Sequence, residues 1–184
     1  MSREAELEAI TVGQRRPLNA PVTLCEHDPE WPATYEVLAA RVRAALGARA
    51  KRLHHAGSTS VPGLAAKPII DMVLEVEDSA DEAGYFAALE AAGFALRIRE
   101  PNWFEHRCFS PADPAANLHV FSEGCEEVGR MLTFRDHLRR DEADRKLYQD
   151  TKRALAARTW AYMQDYADAK TEVVNTIMAR AGRI

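Results

Sequence analysis

A carboxylate inside an apolar run is the first place where this sequence offers chemistry. Asp71 stands in Pro68-Ile69-Ile70-Asp71-Met72-Val73-Leu74-Glu75-Val76. Burying an unpaired carboxylate is expensive. Either Asp71 sits at a strand end and bonds nearby backbone, or a cation or substrate proton compensates its charge. Asp71, Val73 and Glu75 share one strand face because side chains alternate. Glu75 lies about 13 Å further on, too far to share one ion, which suits a rim or salt-bridge role. Upstream, Gly57-Ser58-Thr59-Ser60-Val61-Pro62-Gly63-Leu64 is built of small residues. Glycine lets backbone amides approach an anion, and Ser58, Thr59 and Ser60 add hydroxyl donors. A plain turn is the simpler alternative. It is not a P-loop, which needs Lys directly after its second Gly; Lys67, four residues beyond Gly63, still reaches toward a phosphate.

Histidines and basic side chains extend the set. His54, His55, His106 and His119 fall near the expected strands. In Asn117-Leu118-His119-Val120-Phe121, Asn117 and His119 share a face, so His119 is either a hydrogen-bonded core residue or a ligand and acid–base group. Residues 130–158 hold nine Lys or Arg against five Asp or Glu. Arg135 and Arg139, four apart, share a helix face, and Lys152 lies on the next helix. They form a solvated face or a set of phosphate clamps.

The elements that must position these groups follow from periodicity. The spacing of Tyr35, Leu38, Val42 and Leu46 predicts a helix begun at Asp28-Pro29-Glu30 and closed by Gly47. Val22 to Cys25 reads as a short strand and Pro68–Val76 as a strand buried on both faces. A helix is expected over 81–92, then strands over 94–99, 104–110 and 117–121, with a turn at Pro111-Ala112-Asp113-Pro114. After Ser122 three helices are expected. Their stripes are Val128, Leu132, Arg135 and Leu138; Leu147, Tyr148, Thr151 and Leu155; and Tyr162, Tyr166, Ala169, Val173 and Ile177. Strands followed by helices predict an α+β fold. Residues 1–19 read as a polar lead-in and 20–184 as one domain, with a sheet half (20–122) and a helical half (123–184).

With 184 residues, 24 basic and 28 acidic, the chain carries a net charge of -4. That balance argues against a nucleic-acid partner. No apolar run is long enough to span a membrane, and the acidic N-terminus lacks a signal-peptide core. Cys25, Cys108 and Cys125 match neither zinc spacing nor a disulfide framework, so a cytoplasmic location is expected.

The run from His55 to Asp71 resembles the signature of the GrpB-like proteins, as do Asp28-Pro29-Glu30-Trp31-Pro32 and Phe134-Arg135-Asp136-His137-Leu138-Arg139, with Tyr148 and Lys152 at matching spacing. The resemblance spans roughly residues 21–182. It implies a nucleotidyltransferase-like mixed sheet flanked by helices, as in DNA polymerase β. Gly57-Ser58 would cradle a triphosphate and Asp71 would bind a divalent metal, Mg²⁺ or Mn²⁺. Val73 stands where that superfamily places a second carboxylate, and Asn117 and His119 stand where a third acid is usual. Two-metal transfer needs two or three carboxylates; Asp71 with His119 suits a single ion. GrpB-like domains also occur fused to dephospho-CoA kinase, which points to nucleotide or coenzyme A chemistry. Three readings follow. One is a divergent nucleotidyltransferase using an NTP on a small acceptor, with phosphates held by Gly57, Ser58, Thr59, Ser60, Lys67, Arg135, Arg139 and Lys152 and with Asp71 and His119 as catalytic and metal residues. The others are a degenerate anion-binding module and a different ligase or transferase on the same scaffold.

Overall fold

The computed structural model describes residues 2–14 and 17–182. Five strands form one mixed sheet: β1 (Arg52–Ala56), β2 (Ile70–Val76), β3 (Phe94–Glu100), β4 (His106–Pro111) and β5 (Ala116–Ser122), in the order β1-β2-β5-β4-β3. Only β2 and β5 run parallel; the other neighbours are antiparallel. The architecture is α+β. The segment expected to be a strand buried on both faces is β2, with neighbours on each side and only Asp71 less than fully buried.

One face of the sheet is the main core. Ile70, Met72, Leu74 and Val76 of β2 and Leu118 and Val120 of β5 meet α2 (Trp31–Leu46) and α3 (Phe86–Ala91). In α2 the residues Tyr35, Leu38, Ala39, Val42 and Leu46 are buried, as a 3.6-residue period requires. Pro32 sits in its first turn, and Gly47 ends it at φ 55°. The expected helix over 81–92 is a 3-10 turn (Glu82–Gly84) followed by α3; the backbone breaks at Tyr85, whose hydroxyl donates to Ser79 O at 2.5 Å.

The opposite face carries the polar groups. Val73 packs there with Ala56, Phe121 and Val128 beneath α4 (Glu126–Arg140). Glu75 is buried on this face. His54 Nε2 lies 3.0 Å from it, Arg52 donates at 3.3 Å and the Gly124 amide at 3.1 Å. Burial pushes this carboxyl up, but those partners together hold it below its ordinary range. The salt-bridge role expected for Glu75 is the one it has.

The helical half is α4, α5 (Glu142–Ala156), α6 (Met163–Asp168) and α7 (Thr171–Ala181). Leu138, Tyr148 and Ile177 bury Val61 and Leu64 of the 57–64 loop, so the loop is clamped between sheet and helices. Three expectations need correction. The face of α5 that is buried is Asp144, Tyr148, Lys152 and Ala156, while Leu147 is exposed; buried ion pairs and hydrogen bonds outweigh the apolar pattern. The third helix is interrupted, so α6 and α7 are separate and Lys170 lies between them. Val22 to Cys25 is no strand: Cys25 makes a single bridge with Ala66, because the neighbouring bond, from the Val22 amide, goes to Ala156 O instead. The polar lead-in contains a helix, α1 (Arg3–Ile10), after which the Val12 amide donates to Arg97 O on edge strand β3 at 2.8 Å.

Replacing Glu75 by Ala strands His54 and the Gly124 amide. The unfolding free energy should fall by about 2 kcal/mol, measured from urea transitions; an unchanged midpoint would show that this cluster contributes nothing to stability.

Candidate functional site

Parallel pairing of β2 with β5 aligns Asp71 with Asn117 and Val73 with His119. Asp71 is the second residue of β2, so its carboxylate lies at the strand's entry, beside the loop that leaves β1. Asn117 Nδ2 donates to Asp71 Oδ1 at 3.0 Å, and His119 Nε2 lies 4.0 Å from the same oxygen. The Asp71 and His119 side chains are 30% and 24% exposed, so both remain reachable. Burial pushes the His119 imidazole down, Asp71 opposes this, and His106 adds to the lowering.

The loop is shaped around that carboxylate. Gly57 has φ 65° and ψ -160°, and a Cβ placed there would lie 2.3 Å from Asp71 Oδ2. Glycine is needed twice over, for the backbone conformation and for the close approach. A 3-10 turn, Ser58–Ser60, follows. Ser60 Oγ donates to Gly57 O at 2.7 Å, and Thr59 Oγ1 bonds His55 Nε2 at 2.9 Å. Those two hydroxyls hold the loop together. The Ser58 hydroxyl accepts from Lys152 Nζ at 3.1 Å and faces the cleft.

Sequence spacing joined Arg135 and Arg139 to this site, but the structure spends them on the loop's outer side. Arg139 donates twice to Ser60 O, at 3.0 and 2.8 Å. Arg135 donates to His55 O at 2.9 Å and pairs with Asp136. Neither lines the cleft. They brace the loop backbone, since fixed carbonyls at short range occupy their donors. Lys67 and Lys152 do line it, and Asn117 lies beside Asp71. Besides the apolar Leu24, Ala66 and Ile69, three lining residues were not expected: Tyr148 in this role, Tyr166 and Lys170. A sequence signal exists, since Tyr148-x-x-x-Lys152 is repeated as Tyr166-x-x-x-Lys170.

The cleft holds about 130 Å³. Drug-sized pockets run from about 300 Å³, so this one accommodates a phosphoryl-sized group with the rest of a ligand outside. Three ammonium groups face one carboxylate. Lys152 Nζ also donates to Ala65 O at 2.5 Å. Burial, reinforced by Lys170, pulls Lys152 down to about 7, with Asp71 opposing. Burial and Lys67 pull Lys170 down to about 8. Lys170 lies 4.6 Å and Lys67 5.9 Å from the centre of the Tyr166 ring. The buried Tyr166 hydroxyl has no hydrogen-bond partner among the described residues, and burial pushes its pKa up to about 12. An oxyanion in the cleft would meet the ammonium groups of the three lysines. A larger cavity of about 610 Å³, lined by Arg49, Lys51, Glu77 and Asp78, lies beyond the far end of β2, and its mixed charges converge on no single group.

For a metal, the donor set is one carboxylate oxygen and one imidazole nitrogen. An ion about 2.1 Å from each would place them about 3.0–3.4 Å apart. From 4.0 Å they must close by under about 1 Å. One divalent ion fits with that adjustment. A second does not, because Val73 is wholly buried in the apolar cluster and Glu75 is committed to His54, Arg52 and Gly124. In another cluster, His137, Asp141 and Asp144, the carboxylates and His137 Nε2 are already engaged, and only the buried His137 Nδ1 has no partner among the described residues. His137 Nε2 lies 2.7 Å from Asp144, Arg180 pairs with Asp144, and Asp141 caps α5. Among the described residues no helix is long and apolar enough to cross a membrane.

The profile of the family described as GrpB protein matches residues 21–180. A UPF0157 protein of Halalkalibacterium halodurans is 53% identical, covering 97% of this chain and 91% of its own length. A dephospho-CoA kinase of Mycolicibacterium paratuberculosis is 30% identical over 88% of this chain, but this chain spans only 46% of that protein. The crystal structure of conserved protein GrpB from Enterococcus faecalis matches with a TM-score of 0.72 at 28% identity, over 86% of this chain and 96% of that one.

Gly57→Ala drives a methyl group into Asp71. The substitution should lower stability by more than about 1 kcal/mol and weaken every ligand of the cleft; a variant as stable as the parent, by thermal denaturation, would show that the loop does not press on the carboxylate.

Proposed function

This chain belongs to the GrpB family, and we propose that it is a divergent nucleotidyltransferase-like enzyme that holds the phosphates of an NTP, with one divalent ion, against a small-molecule acceptor. The observation that carries this reading is the convergence of Lys67, Lys152 and Lys170 with Asp71 and Ser58 on one phosphoryl-sized cleft. The order of parts supports it. A Gly-Ser turn delivers Ser58 to the cleft, and the neighbouring strand presents Asp71 there.

In this reading Asp71 and His119 would hold the ion, and the chemistry it would supply when bound is Lewis-acid polarisation of a phosphoryl oxygen. Ser58 and the lysines hold the remaining phosphate oxygens. The acceptor hydroxyl attacks the α-phosphorus and gives its proton to solvent, the bond to pyrophosphate breaks, and the lysines offset the charge gathering on the leaving group. Gly57 keeps Asp71 close to the loop that carries Ser58. Arg135 and Arg139 act at one remove, by fixing the carbonyls of His55, at the end of β1, and of Ser60 in the loop.

One observation favours a second reading. Val73, wholly buried among Ala56, Phe121 and Val128, stands where a second carboxylate is usual, and a module that binds a phosphorylated ligand without turning it over would have no need of one. The dephospho-CoA kinase relatives make coenzyme A derivatives reasonable ligands to include in a test.

Thermal shift and calorimetry with ATP, GTP, CTP, UTP, dephospho-CoA and coenzyme A, each with and without Mg²⁺ or Mn²⁺, separate these readings. Divalent-dependent nucleotide binding is expected, weakened more than about tenfold by Asp71→Asn. Equal binding by that variant in the presence of metal would sink the transferase mechanism. Tight binding with no pyrophosphate release from any acceptor mixture would favour the binding module.

The lysines also give a pH dependence. As pH rises through about 7 and then 8, Lys152 and Lys170 lose their protons, so the cleft becomes less positive. Affinity for sulfate, whose charge is constant across this range, should therefore fall between pH 6.5 and about 8.5, with Lys152→Met flattening the lower part of the curve. An affinity that rises across this range in calorimetry would exclude the lysines as the anion's partners.

A further inference from the structure

A file of polar groups reaches Asp71 from the far strands of the sheet. Glu100 ends β3 and His106 begins β4, and the two are paired across the antiparallel ladder. Glu100 Oε2 lies 2.6 Å from His106 Nδ1, and His106 Nε2 lies 2.9 Å from His119 Nδ1. His119 Nε2 then faces Asp71 Oδ1 at 4.0 Å. The two imidazoles are stacked, with centroids 5.1 Å apart. His106 is buried between Phe121 and the edge of Trp103.

These contacts set the proton positions in turn. A carboxylate only accepts, so His106 carries its proton on Nδ1. In an imidazole with its single proton on Nδ1 the other nitrogen is an acceptor, and His106 Nε2 is the atom that meets His119. His119 must then donate from Nδ1, and its Nε2 is left as a lone pair. The gap to Asp71 agrees, because a proton on that nitrogen would close a hydrogen bond at about 2.9 Å, and 4.0 Å is too long for one. Two electron-rich atoms facing each other across such a gap suit an incoming cation.

We infer that Glu100 and His106 are positioning residues for the cleft, and that they fix His119 in the Nδ1–H tautomer with its Nε2 lone pair toward Asp71. This rests on the reading of Asp71 and His119 as the cation site and adds the residues that prepare it. Metal-binding imidazoles are commonly oriented by a carboxylate on the other nitrogen; here a second imidazole carries that influence across one more strand.

The tautomer can be read without activity. Long-range ¹H–¹⁵N spectra of the full chain labelled with ¹⁵N-histidine should show His119 protonated on Nδ1 and bare on Nε2. In His106→Phe the ring stack is kept and the acceptor removed. His119 should then shift toward the Nε2–H form, and Mn²⁺ affinity, by electron paramagnetic resonance, should fall at least about tenfold. Glu100→Gln keeps an oxygen acceptor and should preserve both; Glu100→Ala should not. An Nε2–H signal for His119 in the unmodified chain overturns the inference, and so does a His106→Phe variant with unchanged tautomer and Mn²⁺ affinity. The expected tautomer together with no Mn²⁺ binding would uphold the positioning role and overturn the cation site itself.

Discussion

Asp71 carries its carboxylate one residue into a strand whose other side chains are buried. A charge in that position is stable only if the surroundings supply donors, opposite charge or water. The neighbouring structure supplies all three. Asn117 donates from the parallel strand, three lysines approach from the loop and the helical half, and the carboxylate keeps an open side. Its bulk also dictates what passes beside it, because the backbone at residue 57 has room for no Cβ. Much of the polar architecture therefore answers to one side chain.

The helical half answers to it through a helix face that is not apolar. In α5 the positions turned inward are Asp144, Tyr148, Lys152 and Ala156. Asp144 is held by His137 and Arg180, and it fixes the helix against α4 and α7. Lys152, two turns on, bonds Ser58 Oγ and Ala65 O. A buried ammonium is costly, and its affinity for a proton drops accordingly. In the proposed function, an anion in the cleft would offset that cost by restoring the lysine's charge.

The pattern of α2, the burial of β2 and the order of strands and helices were legible because apolar periodicity reports a face turned from water. Glu75 was readable as a salt-bridge residue because strand rise alone separates it from Asp71. The misreadings share one cause. Arg135 and Arg139 lie on the expected face of α4, yet spacing along one helix does not reveal that the carbonyls of His55 and Ser60 stand in front of them. The stripe through Leu147 and Leu155 was plausible for hydrocarbon packing, and ion pairs chose another. Lys170 owes its place to the break between α6 and α7, which apolar periodicity does not mark.

By itself, the sequence determined that a Gly-Ser loop precedes an Asp-bearing strand, that His119 and Asn117 share a strand face, and that Val73 stands between Asp71 and Glu75 on one face. These follow from chain order, backbone alternation and side-chain chemistry, which need no knowledge of distant partners. Only the tertiary structure decided that β2 and β5 are parallel neighbours, and hence that Asp71 meets Asn117 and His119 at one end. It also decided that Lys67, Lys152 and Lys170 share a cleft, and that Glu100 and His106 stand behind His119. Those relations join residues up to 103 positions apart (Lys67 to Lys170). They are set by how sheet and helices pack, because a side chain's partners are chosen by distance in space, which local pattern does not encode.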